Sequence, residues 1–180
     1  SELERATKVV KRVADRIAEL IRENARVTKR VADESRKLLE ETETVTREVM
    51  RAIEELLKRL RGERAKKLKK LLEDIRRSSE EVLRKNKKDS EELKRTSDEY
   101  LERLRRKLEK LKDEVRKIKA ENSIREEDLK KLEDDLKRAA DESKKYDDDL
   151  RRKLDELRRR HEEYKERLKE MLKRLEDETR

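Results

Sequence analysis

Few side chains in this sequence could do chemistry. His161, in the stretch RRRHEEYKER, is the only histidine of the 180-residue chain, and Tyr164 beside it is one of three tyrosines, with Tyr100 and Tyr146. An imidazole can ligate a metal or move a proton near neutral pH. A metal would need a second ligand on the same helix face, yet the neighbours of His161 one turn away are Leu157, Arg158, Tyr164 and Lys165. There is no cysteine, and no Ser-His-Asp arrangement that a fold would favour, so a nucleophile activated by a base is not expected. The tyrosines could stack on nucleobases only if exposed beside basic residues. One glycine, Gly62, cannot make a loop that cradles phosphate. The expectation is therefore no enzyme, no metal and no cofactor. His161 reads as a group the fold itself uses, with a pH-responsive element as the alternative.

The elements that position these residues follow from composition. Charged residues make up 58% of the chain against 31% hydrophobic, with one Gly and no Pro, Trp or Phe. Such a chain is either a disordered polyampholyte or an assembly of exposed helices. The abundance of Leu, Lys, Arg and Glu, and the regular spacing of the apolar residues, select helices. No apolar run reaches the ~18 residues of a membrane span and no signal peptide opens the chain, so a soluble protein of unspecified location is expected. The net charge is +9. Counted by segment, residues 1–61 hold 16 basic and 13 acidic side chains, residues 63–121 hold 22 and 15, and residues 122–180 hold 19 and 20. The excess lies in the middle segment, where acids dilute it, and a solvated surface is the expected reading.

Two breaks divide the chain. Gly62, in RLRGERAKK, suits the left-handed residue that follows a helix, behind the basic Arg59 and Arg61. In AENSIREED, Asn122 can end a second helix, and Ser123 with Glu126 forms a capping box for a third. A rival break at KNKKDSEE, where Asp89 and Glu92 repeat the capping spacing, would leave unequal pieces. Helices over about 2–61, 63–121 and 124–179 result, near 58–61 residues and ~90 Å each.

Heptads run through all three. Leu3, Val10, Ile17, Asn24, Val31 and Leu38 recur every seven residues, beside Ala14, Ile21, Thr28, Ser35, Thr42 and Val49. The second segment offers Leu72, Ser79, Asn86, Leu93 and Tyr100, and the third Leu136, Ser143, Leu150, Leu157 and Tyr164 beside Leu154, His161 and Leu168. Two interleaved series make a coiled-coil seam, and a strict repeat of seven implies left-handed supercoiling. Folding back at Gly62 and near residue 122 gathers the polar seam positions into two layers. One holds Asn24, Thr28, Thr96, Tyr100, Ser143 and Tyr146. The other holds Ser35, Asn86 and His161, with Thr42, Ser79 and Tyr164 a turn beyond, and sets Thr46 against Ser78. A buried polar group without a partner costs about 1–3 kcal/mol, so clustering lets each satisfy another and fixes the register.

Heptads over the whole chain, near-equal helices, a surface of Glu, Lys, Arg and Asp, and Asn, Ser, Thr, Tyr and His grouped in core layers resemble de novo designed helical bundles with buried hydrogen-bond networks. That resemblance implies a stable scaffold or interaction module without a natural substrate. One departure is GERAKK, which lacks the Ser or Asp usual after a loop glycine. Spectrin-type repeats are shorter and favour a core tryptophan that is missing here, and BAR-like modules would need a second apolar stripe. The expected architecture is an all-α, up-down-up antiparallel three-helix bundle, one elongated domain over residues 1–180. It should be monomeric and need no partner, neither a specific nucleic acid nor a membrane, with self-association or a helical partner left open. The alternative function is a basic rod that binds polyanions, nucleic acid or an anionic membrane surface, through its middle helix.

Overall fold

The computed structural model describes residues 2–121 and 125–178. Three helices account for nearly all of them: α1 Glu2–Arg59 and α2 Glu63–Ala120, each of 58 residues, and α3 Glu126–Glu178 of 53. Among the described residues there is no strand. The protein is an all-α three-helix bundle. α2 runs without interruption through Lys85–Glu92, so the rival break there does not form.

The first turn differs in detail from expectation. α1 stops at Arg59, and Leu60 and Arg61 lead to Gly62, whose φ of 76° is the only positive one among the described residues. Its carbonyl accepts from Lys66 N–H at 3.2 Å, so Gly62 opens α2 as much as it closes α1. A Cβ at this position would meet nothing within 4 Å, which leaves backbone conformation as the sole reason for glycine here. Asn122 and Ser123 lie outside the described residues. The first bonds of α3 run from Asp128 and Leu129 N–H to the Arg125 carbonyl, and Glu126, Glu127 and Asp128 place negative charge at this helix start.

The chain forms two compact units, each containing a stretch of all three helices. The first combines α1 up to Val31 with Lys94–Arg152, and the second combines Ala32–Leu93 with α3 from Lys153 onward. In the first unit Val13, Ile17 and Leu20 of α1 pack with Leu104 and Leu108 of α2 and Leu132 of α3. In the second, Ile53, Leu68, Ile75, Leu168 and Leu175 play the same part. Each such side chain contributes roughly 1.5–3 kcal/mol on burial.

The buried stripe of α1 does not keep to one heptad series. Val10, Ile17, Asn24 and Val31 are buried, but the continuation of that series at Leu38 and Val45 is only half-buried. From Ser35 onward the second series takes over, with Ser35, Thr42 and Val49 inside. Val13, Leu20, Thr46 and Ile53 complete the stripe although neither series contains them. The cause is geometric: 3.6 residues per turn drift by about 20° per heptad against a strict repeat of seven.

Candidate functional site

Titratable and hydroxyl-bearing side chains meet inside the bundle in two polar layers, one in each unit. In the second unit the bonds around His161 and Tyr164 join α1 to α3. Thr42 Oγ1 lies 2.6 Å from His161 Nδ1 and 2.8 Å from the Leu38 carbonyl. Thr46 Oγ1 donates to the Thr42 carbonyl at 2.8 Å and receives the Tyr164 hydroxyl at 2.7 Å. Each threonine hydroxyl thus has a fixed partner on its own helix and a second on α3. Thr42 has one proton, so if it serves the Leu38 carbonyl the ring must donate from Nδ1. His161 Nε2 stands 3.1 Å from Glu41 Oε2 but is out of line for a hydrogen bond. Since Glu41 is 61% exposed, this is a solvent-screened electrostatic contact. The sequence offered no acid beside the imidazole because it weighed only α3; α1 supplies one.

The partners expected for this layer are rearranged. His161 bonds Thr42 rather than Ser35 or Asn86, Ser35 bonds Ser90, and Thr46 meets Tyr164 while Ser78 is exposed. Ser79 is buried but bonds none of these residues. Asn86 is half-buried and makes no side-chain hydrogen bond among the described residues. It faces a cavity of about 10 Å³ shared with Ser35, Thr42, Ser90 and His161, about the room that one water needs.

In the first unit Asn24, fully buried, donates from Nδ2 to Ser143 Oγ at 2.8 Å. The rings of Tyr100 and Tyr146 stack at 4.2 Å with 9° between planes. Their hydroxyls point to acids on α3: Tyr100 donates to Asp149 at 2.5 Å, and Tyr146 to Glu142, which also receives Lys107. The sequence missed both carboxylates because neither occupies a seam position. The hydrogen bond to Asp149 and then burial push the Tyr100 phenol up, while burial and then Glu142 push up Tyr146. Burial acts to raise Glu142, but the hydrogen bonds from Lys107 and Tyr146 outweigh it and hold the carboxyl low. Asp147 is raised, by burial first and then by Glu23 and Asp148, against the opposing pull of Arg151. Asn24 Oδ1, Thr28 Oγ1, Ser97 Oγ and Asp147 Oδ1 are buried without a partner among the described residues. Thr96, expected opposite Thr28, is half-buried and unbonded, and Ser97 next to it is the buried one.

The registers explain these exchanges. α1 meets α3 at a nearly constant sequence separation, 119 for Asn24 with Ser143 and for Thr42 with His161, and 118 for Thr46 with Tyr164. α2 meets α3 one helical turn further along than a fold-back at residue 122 would give, so that Tyr100 reaches Asp149 instead of position 145. α2 stays helical to Ala120 and α3 starts only at Glu126, which moves the pivot of the second turn.

Among the described residues no three His, Asp or Glu side chains gather as metal ligands, and no helix is long and apolar enough to cross a membrane. The chain matches no protein-family model, no curated protein and no solved structure.

Proposed function

We propose that the chain is a designed structural scaffold or interaction module with no catalytic activity, whose polar layers select one register of α3 against α1. It calls on no cofactor, and a single copy suffices. The supporting observation is what a slip of one heptad would do. Sliding α3 by seven residues in either direction sets Leu154 or Leu168 opposite Thr42, Leu136 or Leu150 opposite Asn24, and Leu157 or Met171 opposite Thr46. Each of these three α1 residues would face an aliphatic side chain, and Ser143, His161 and Tyr164 would lose the partners they have now. At roughly 1–3 kcal/mol for each buried group left unpaired, the slipped bundles lie several kcal/mol above the native one. An aliphatic seam alone offers no such distinction, because leucine packs against leucine in all three registers.

The test uses the absence of cysteine, which allows clean spin labelling at one introduced pair. With labels at exposed positions on α1 and α3 of one unit, the parent should give a single narrow distance distribution. Replacing Asn24, Thr42, Ser143 and His161 together by Leu or Val should leave the bundle as stable or more so, yet broaden or split that distribution. A single narrow distance in the aliphatic variant would show that register is set elsewhere.

A further inference from the structure

Counting charge helix by helix cuts the most basic stretch of the chain in two at Gly62. Read across the turn, KRLRGERAKKLKK, residues 58–70, carries eight Lys or Arg side chains and one acid, Glu63. The positive charge is therefore gathered in a block after all, contrary to the expectation of dilution. All eight bases are exposed. Lys58 lies 3.2 Å from Glu55; the other seven have no carboxylate within ion-pair distance among the described residues. Elsewhere exposed bases repeatedly find one, as Arg5 does with Glu126, Arg16 with Glu19 and Arg158 with Glu34 and Asp155. The block sits on the last turn of α1 and the first two turns of α2, held in place by Ile53 and Leu68 beneath it.

We infer that this turn is a binding surface for the phosphate backbone of a nucleic-acid duplex, engaged without regard to base sequence. Dense positive charge on a pre-formed surface gains affinity by releasing counterions condensed on a polyanion, and the gain grows with the number of phosphates neutralised. Three features favour a duplex over other polyanions. The tyrosines are taken up by the core layers, so no ring is offered for stacking on unpaired bases. Apart from Glu63 the polar side chains of the block are all Lys and Arg, with no Asn, Gln, Ser or Thr among residues 58–70 to read base edges, which favours contact with the backbone. A membrane-surface helix needs an apolar face to insert, and here that face is spent on the bundle: Leu68 is buried, Leu57 and Leu60 half-buried, and only Leu71, at 37% exposure, shows at the edge of the block. The scaffold reading above does not depend on this surface, because the block contains no member of either polar layer.

The full-length chain, titrated onto a fluorescent mixed-sequence DNA duplex at several salt concentrations, supplies the test. Binding should weaken with salt along a log–log slope of roughly −4 to −6, at about −0.9 for each phosphate neutralised. Changing Lys66, Lys67, Lys69 and Lys70 together to Gln should lower affinity by about tenfold or more at the lower salt, since half of the block's bases go. Arg59→Gln with Arg61→Gln and Arg64→Gln, the three arginines that flank Gly62, should do the same, and circular dichroism should show both variants fully helical. A charge-matched variant with Lys130, Lys131, Lys144 and Lys145 changed to Gln should bind like the parent. Equal losses in the block and control variants would reduce the effect to net charge and overturn the assignment. So would absent binding at low salt, or tighter binding to phosphatidylserine vesicles than to the duplex.

Discussion

At the residue scale the two layers differ in how much each member depends on its partner. Thr42 and Thr46 bond back to carbonyls on their own helix, so they stay satisfied when the α3 residue opposite is removed. Asn24 has no such fallback: among the described residues its Oδ1 is already unpartnered, and Nδ2 donates to Ser143 alone. His161→Leu should therefore leave the denaturation midpoint unchanged or raised, replacing a polar ring by an aliphatic side chain. Ser143→Ala should lower stability by about 1–3 kcal/mol, because it strands a buried amide donor. Chemical denaturation of the two variants beside the parent checks the order; the reverse order would mean that the imidazole, not the asparagine, depends on its partner. Asn86, which the sequence placed at the centre of its layer, is not bonded, and no large cost follows from removing it.

At the element scale, the stripe of α1 can be probed at positions that a strict heptad misassigns. Leu3 belongs to the first series yet is 65% exposed, while Leu20 belongs to neither series and is 2% exposed. Leu20→Ala should cost about 2–5 kcal/mol and Leu3→Ala less than about 0.5 kcal/mol, measured as shifts in the denaturation midpoint. These elements also show what was legible in the sequence. Helix number, the first turn at Gly62 and the presence of two polar layers follow from apolar spacing and one glycine, because those signals are local. The partners within each layer were not legible, since they depend on where α3 starts, and a shift of the second turn by two residues moves α2 against α3 by a whole turn. Tyr100 then finds Asp149, a residue off the seam that no periodicity singles out. The basic block was fully visible as letters, but dividing the chain at its turn hid it.

For the molecule as a whole, pH acts through groups whose shifts have opposite signs. Glu142 is held below its ordinary value of 4.5, so it stabilises the fold above that pH and this contribution is lost as pH falls through its folded value. Asp147 is raised above 3.8, so it opposes folding near neutrality and that penalty disappears as pH drops through its folded value. Glu142→Gln should therefore lower the midpoint at pH 7 and flatten its decline in acid, whereas Asp147→Asn should raise the midpoint at pH 7 and converge on the parent near pH 3. At the alkaline end Tyr100 and Tyr146 are raised above 10.0, so their contribution is complete below that pH and lost as pH climbs through the folded values. Denaturation curves from pH 3 to pH 11 carry all three signs.

The turn at Gly62 has a consequence in terms of chirality. Its φ of 76° describes a site that wants the mirror-image hand of side chain. An L-alanine there carries the cost of the left-handed region, roughly 1–2 kcal/mol. A D-alanine, introduced by chemical ligation, is at home in that conformation and loses less freedom on folding than glycine does. It should stabilise the bundle by about 0.4–1 kcal/mol through the unfolded chain alone. The parent and the two enantiomeric variants should then rank D-alanine, glycine, L-alanine in denaturation midpoint, an order set by handedness in the folded turn and by chain freedom in the unfolded state.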